Sequence, residues 1–278
     1  MIPAAFSYAR ADSVDEAVAL LVEHGDDAKL LAGGHSLLPL MKLRLATPSV
    51  LVDVGRLEDL AFVRDDGDTV AIGGLTRHRD VEHHPVLREH APLLAAAAGE
   101  VGDPQVRHRG TLGGSLAHGD PASDLPAVVL ALRGDIVVCG RAGERVIAAD
   151  DFFRGFLETA LAPDEIITEV RVPKTGDTGW AFEKFNRRAQ DWAIVGVAAI
   201  GGATPGVALV NMGDRPVRAA AVEAALRDGA SVADASALAG DDTDPPSDLN
   251  ASPDYRRHLA RVLVRRALAT TALGGDHR

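Results

Sequence analysis

Apolar positions set the first readable rhythm of the chain. Val14, Ala17, Val18, Leu21 and Val22 recur at helical spacing behind Ser13-Val14-Asp15-Glu16, where a hydroxyl and a carboxylate are placed to satisfy free amides at a helix start. The spacing predicts a helix over 13–24. Ala28-Lys29-Leu30-Leu31-Ala32 then reads as a buried strand, and Ser36 as the cap of a helix running to Leu45, with Pro48 beyond its end. Val50-Leu51-Val52-Asp53-Val54 is the next strand, so the first 55 residues or so read as a βαβ-type unit.

Further along, Thr69 to Gly74 is strand-like, and a helical stretch over 76–99 is interrupted by Pro85 and Pro92. The segment from Gly102 to Pro126 is polar and turn-rich, the composition of a long functional loop. Leu125 to Leu132 then reads as helix, with strands at Asp135 to Cys139 and Glu165 to Val172, the latter closed by Pro173. Thr175-Gly176-Asp177-Thr178-Gly179 is small, polar and flexible, and marks a boundary near 176 between two α+β regions. The second region carries strands at Phe182 to Phe185, Val195 to Ile200 and Val207 to Met212. Helices follow near 217–228, 232–239 and 254–272, with an acidic, proline-rich surface loop from Asp241 to Pro253.

Composition narrows the function. No run approaches the ~18 apolar residues of a membrane span, and Met1-Ile2-Pro3-Ala4-Ala5-Phe6 lacks the basic-then-apolar order of a secretory leader, so a cytoplasmic, non-transmembrane protein is expected. The formal net charge of -11 argues against nonspecific nucleic-acid binding. The basic cluster of the tail, Arg256 to Arg266, has Leu259, Val262, Leu263 and Arg266 at helical spacing and reads as an amphipathic helix with a solvated basic face, the alternative being a docking face for another subunit. Cys139 is the only cysteine, which excludes an intrachain disulfide, a cysteine-based zinc finger and a cysteine-ligated iron–sulfur cluster within this chain. His78, His83, His84, His108 and His118 show no ligand spacing and read as surface or turn residues, so no metal site is expected.

Two short segments share a lettering: Ala32-Gly33-Gly34-His35-Ser36-Leu37 and Thr111-Leu112-Gly113-Gly114-Ser115-Leu116. A Gly-Gly pair lets backbone amides converge, and the hydroxyl adds a further donor, a way to hold a pyrophosphate without a fixed cation. A tight turn would need the same glycines. Two such segments suggest the two ends of one dinucleotide. Asp124, nine positions beyond Ser115, could accept from sugar hydroxyls or serve as a first-turn carboxylate on its helix. Ser36 and Ser115 sit in no nucleophile elbow, and no catalytic residue is assigned in this chain.

Leu31 to Leu37, the run Val101-Gly102-Asp103-Pro104-Gln105-Val106-Arg107-His108-Arg109-Gly110-Thr111-Leu112-Gly113-Gly114-Ser115, and Ala122-Ser123-Asp124-Leu125-Pro126 together resemble the FAD-binding medium subunits of molybdenum-containing hydroxylases. The resemblance continues through Lys184 to Ala193 and the Tyr255-to-Leu268 helix, and within the family it points to the branch whose complexes oxidise carbon monoxide. It implies an α+β fold: a two-subdomain FAD-binding domain of the vanillyl-alcohol-oxidase type over 1–175 (subdomains about 1–55 and 56–175), then a small α+β C-terminal domain over 176–278. It also implies non-covalent FAD, with the pyrophosphate at 32–36 and 111–115, Leu37 and Gly113 included in the site. Asp124 would meet ribityl or ribose hydroxyls, and Val101, Ile167 and Lys184 would line the flavin. Trp192 stands where many relatives carry tyrosine over the isoalloxazine. An indole can stack there but brings no phenol, and it could instead be a core residue near the domain boundary.

The resemblance further implies a heterohexameric complex. A large partner subunit would carry the molybdenum cofactor and a small one the [2Fe–2S] clusters. This chain would pass electrons through FAD to an external acceptor such as a quinone. Aldehyde or N-heterocycle dehydrogenase complexes are the neighbouring alternatives, and a free-standing flavin oxidoreductase a more distant one.

Overall fold

The computed structural model describes residues 2–272. The N-terminal unit is a parallel sheet of β1 (Ser7–Arg10), β2 (Ala28–Leu31) and β3 (Val50–Asp53) in the order β1-β3-β2. Helix α1 (Val14–His24) begins where the capping residues predict, although in a shifted form. Ser13 accepts from the Glu16 amide, whereas the Glu16 carboxylate reaches back past it to the Asp12 amide. Ala17, Val18 and Leu21 bury against Ala28, Val52 and Val54 in a small core of their own. Helix α2 (Leu37–Lys42) is shorter than expected. Ser36 makes no side-chain cap, and the chain turns out through Arg44 at φ 58 before reaching Leu45.

The second unit is built on an antiparallel sheet in the order β4-β5-β10-β6-β7, comprising β4 (Val63–Asp66), β5 (Thr69–Gly73), β6 (Asp135–Gly140), β7 (Gly143–Ala148) and β10 (Ile166–Pro173). A hairpin of β8 (Phe153–Gly155) and β9 (Glu158–Thr159) follows the short helix α9 (Ala149–Phe152). The helical stretch expected over 76–99 is three helices, α3 (His78–His83), α4 (Pro85–His90) and α5 (Pro92–Gly99). Proline opens the last two, a position where its missing amide is harmless.

Between Gly102 and Pro126 the structure corrects the expectation of a long loop. Helices α6 (Pro104–Arg109) and α7 (Leu112–His118) occupy it, capped by Asp103 on the Val106 amide and by Thr111 on the Gly114 amide, and α8 (Asp124–Ala131) begins before it ends. Poor helix formers hide these short helices from periodicity, because their caps rather than an apolar face define them.

The C-terminal sheet is an antiparallel meander, β11 (Trp180–Phe185), β12 (Val195–Ile200), β13 (Gly206–Val210) and β14 (Val217–Arg218). Its central strands β12 and β13 are buried and apolar on both faces, for a visible reason. Ala198 and Ile200 of β12 join the core that holds α8 and the five-stranded sheet, while Val195, Val197 and Ala199 join the core under the C-terminal helices. Helix α8 lies in the first of these cores with all of its residues buried.

Helices α10 (Ala220–Arg227), α11 (Val232–Ala237) and α12 (Pro253–Ala272) cover the outer face. The helix expected from 217 starts at Ala220, because Val217 and Arg218 pair with β13. One basic residue of the tail departs from the solvated face predicted for it. Arg256 is 0% exposed and donates to the Ile194 carbonyl and to Asp248.

Candidate functional site

The two glycine segments meet. A Cβ placed on Gly33 would lie 2.4 Å from the Arg109 carbonyl oxygen and 2.9 Å from Gly110 Cα, so the first segment lies directly against the backbone leading into the second. Gly34 has φ +77, a left-handed conformation that suits glycine. Among the described residues, the amides of Gly33, Gly34, His35, Ser36 and Leu37 donate to no protein group, and neither does the Ser36 hydroxyl. A run of free amides on an otherwise ordered turn is what an anionic ligand requires.

The second segment is different, and here the symmetry read from the lettering fails. Thr111 to Ser115 is a helix start, with the amides from Leu112 to Ser115 already used. Leu112 donates to the Thr76 carbonyl (3.0 Å), Gly113 to the Gly74 carbonyl (2.8 Å), Gly114 to Thr111 Oγ1 (3.1 Å) and Ser115 to the Thr111 carbonyl (3.0 Å). What this segment supplies is a floor without side chains. A Cβ on Gly113 would meet the Gly74 carbonyl oxygen at 2.6 Å, and Gly74 is itself pressed on the Ile167 carbonyl. The Ser115 hydroxyl, half-buried, takes no protein partner among the described residues and remains available to a ligand.

Sequence reasoning missed the strip that clamps this floor. Gly74, Thr76 and His78 run alongside 110–113, with the His78 amide bonded to the Gly110 carbonyl at 3.0 Å and Arg77 bridged to Thr111. The Arg77 guanidinium donates to the Arg109 and Gly55 carbonyls, joining the second segment to the N-terminal unit. Gly73-Gly74 at a strand end was the available signal.

His78 is also a correction, since it was expected as a surface or turn residue and instead opens α3 at 5% exposure, with Nδ1 buried and unpartnered among the described residues. Its Nε2 edge lies against Gly110. Burial first, then the positive charges of His35, Arg77 and Arg107, push its pKa from 6.5 down to about 4. His78 will therefore stay neutral at pH 5 in the folded chain. Because an unfolded histidine binds the proton more readily, its contribution to stability is present above 6.5 and is lost as pH falls through 4. A ring-nitrogen NMR titration with a midpoint near 6.5 for His78 would contradict this.

Asp124 and Lys184, singled out separately from sequence, form a buried pair. Lys184 Nζ lies 2.7 Å from Asp124 Oδ2 and donates to the Glu100 carbonyl at 2.9 Å, with side-chain exposures of 5% and 6%. The pair joins β11 to the N-terminal ends of α8 and the turn after α5. Asp124 Oδ1 is buried without a partner among the described residues. Burial raises the Asp124 carboxyl to about 6 despite the lysine. An orphaned carboxylate oxygen of this kind suits a hydroxyl-bearing ligand, which would complete its hydrogen bonding.

Val101 is half-buried against the central core, and Ile167 is a buried core residue on β10. His35 is exposed, and Ala32 and Leu37 are half-buried. Trp192 is not a core tryptophan. It is 72% exposed on the loop between β11 and β12, at a cleft of about 920 Å³ that Pro121, Phe156, Asn211 and Arg256 also line. That cleft is a separate space from the glycine segments, whose residues do not line it.

This arrangement agrees with comparison to known proteins. Residues 4–175 match the model of the FAD binding domain in molybdopterin dehydrogenase. The chain belongs to that family. Residues 180–271 match the CO dehydrogenase flavoprotein C-terminal domain, so the α+β architecture of an FAD-binding domain followed by a C-terminal domain is that of the family.

The carbon monoxide dehydrogenase medium chain of Hydrogenophaga pseudoflava is 43% identical over 96% of this chain and 97% of its own length. A solved carbon monoxide dehydrogenase structure from that organism superposes with a TM-score of 0.95 at 44% identity, covering 98% of this chain and 99% of the other. Quinoline 2-oxidoreductase from Pseudomonas putida 86 gives 0.92 at 31% identity over the whole of both chains.

The residues present fit FAD: free amides for a pyrophosphate at 33–37, a glycine floor at 113 and 114, and an orphaned carboxylate oxygen on Asp124.

Proposed function

We propose that this chain is the FAD-carrying subunit of a molybdenum hydroxylase complex of the carbon monoxide dehydrogenase type, delivering electrons from partner iron–sulfur clusters to an external acceptor such as a quinone. The observation that carries this is the free-amide turn Gly33 to Leu37 closed against Gly110, in a chain alike over its full length to a carbon monoxide dehydrogenase medium chain. FAD, when bound, supplies the exchange between one- and two-electron steps. The chain's own residues bind and orient it. Gly33 to Leu37 and Ser115 hold the pyrophosphate, Asp124 takes a sugar or ribityl hydroxyl, Lys184 keeps that carboxylate in place, and Trp192 offers a flat face to the ring. Val101 lines the ring from the end of α5, and Ile167 backs it through Gly74.

Cys139 alone cannot ligate a [2Fe–2S] cluster, so clusters and the molybdenum cofactor belong to small and large partner subunits. Substrate identity then rests with the large subunit, as the shared fold of quinoline 2-oxidoreductase illustrates. An N-heterocycle or aldehyde dehydrogenase is accordingly the second reading. Among the described residues no helix is long and apolar enough to cross a membrane. We place the complex in the cytoplasm, where contact with a membrane would come through its assembly.

The test is direct. The purified chain will be yellow with flavin absorbance at one FAD per chain, will oxidise neither carbon monoxide, aldehydes nor N-heterocycles alone, and will support carbon monoxide oxidation when co-expressed with its partner subunits. Turnover of an organic substrate by the isolated chain would contradict it.

A further inference from the structure

An indole 72% exposed is costly to leave in water, and the backbone around this one is tied down by side chains. Asn211 Nδ2 donates to the Ala193 carbonyl at 2.8 Å, while the Asn211 amide donates to the Pro121 carbonyl at 2.8 Å. One residue thus ties the segment carrying Trp192 to the segment leading into Asp124. Asn211 does so at φ 61, a left-handed conformation that asparagine tolerates better than most residues. One residue further along, the buried Arg256 guanidinium donates to the Ile194 carbonyl and is itself fixed by Asp248 at 2.8 Å. The Ile194 amide donates to the Phe185 carbonyl at 2.8 Å, and the Trp192 amide to Asp191 Oδ1 at 3.0 Å.

We propose that Asn211 and Arg256 are positioning residues that hold Trp192 in place relative to Asp124, so that a planar ring bound beside Asp124 meets an indole already oriented to cover it. This rests on the assignment of Trp192 to the flavin. The physical reason is preorganisation. A loop ordered before binding does not charge its ordering entropy against the ligand. Arg256 reaches this loop from the far side of the C-terminal sheet, which explains a fully buried arginine on a helix whose other basic residues lie nearer the surface.

Asn211→Gly keeps the left-handed backbone and deletes only the side-chain donor, so it isolates the tie from the fold. Arg256→Lys keeps the charge for Asp248 and shortens the reach to Ile194. Both are made in the full chain with Trp180→Phe, leaving Trp192 as the sole tryptophan. In the FAD-free chain, held well below its unfolding transition, Trp192 fluorescence anisotropy will fall in Asn211→Gly and in Arg256→Lys. In the FAD-loaded chain, quenching of the indole by flavin will weaken, and FAD release will quicken by roughly five-fold or more. Parent-like anisotropy in Asn211→Gly overturns the proposal. Trp192→Ala separates the two claims: if flavin fluorescence and release do not change when the indole is removed, the assignment of Trp192 to the flavin fails, and anisotropy alone still decides whether Asn211 positions it.

Discussion

Gly33→Val will yield a folded chain that no longer retains FAD. The contacts that forbid a side chain there are all backbone, the Arg109 carbonyl at 2.4 Å and Gly110 Cα at 2.9 Å, so no rotamer change relieves them. The turn must draw away from 109–110, carrying with it the free amides from Gly33 to Leu37. The N-terminal unit will survive, because its core is made by Ala17, Val18, Leu21, Ala28, Val52 and Val54 and does not include the turn. Loss of a preorganised phosphate site of this kind should weaken FAD retention by ~100-fold or more, about 3 kcal/mol. The flavin-to-protein ratio after gel filtration, with the unfolding midpoint measured alongside, reads this out. Full flavin occupancy would remove the first glycine segment from the site.

The second large effect concerns Lys184. Lys184→Met leaves Asp124 buried at 6% exposure with no cation and with Oδ1 already unpartnered. Removing one member of a buried pair typically costs about 3–5 kcal/mol, and near pH 7 a loss of that order is expected in urea unfolding.

The pH dependence identifies the cause. The folded Asp124 carboxyl sits at about 6, above its ordinary value of 3.8, because burial disfavours the charge. The folded chain therefore binds that proton more tightly than the unfolded one. The group's contribution to stability is greatest below 3.8 and is lost as pH rises through 6. Without Lys184 the carboxyl will rise further, so the deficit of the variant relative to the parent will shrink as pH is lowered from 7 to 5. A deficit of equal size at both pH values would mean that lost packing, rather than a stranded charge, is responsible.

Elements with a recurring or continuous run of buried apolar residues were legible in the chain, as α1, β3, β6, β10 and α12 show. The edge strands β1, β4 and β7 were not. Residues 7–10, 63–66 and 143–148 are largely exposed, and a strand paired on one side only needs no apolar run. The helices at 104–109 and 112–118 were hidden for another reason, being defined by Asp103 and Thr111 caps rather than by a face.

The candidate site divides in the same way. Gly33, Gly34, Gly113, Gly114 and Asp124 stood out as letters. The functional inequality of the two glycine pairs did not, because it depends on Gly74 and Thr76, nearly forty residues upstream, taking up the amides of Leu112 and Gly113. Likewise, the partnership of Asp124 with Lys184 spans 60 positions, and no local pattern could show it. The burial of Arg256 escaped notice because it is set by Ile194 and Asp248, not by its own helix.

The central claim is that one site spans both glycine segments and Asp124 and accepts a single flavin dinucleotide. Calorimetric titration of the FAD-free chain with FAD and, separately, with FMN tests it most directly. One FAD per chain, bound at least ~100-fold more tightly than FMN because only the dinucleotide brings a pyrophosphate to Gly33 to Leu37, is the expected result. Equal affinity for FMN and FAD, or two ligands per chain, would contradict it.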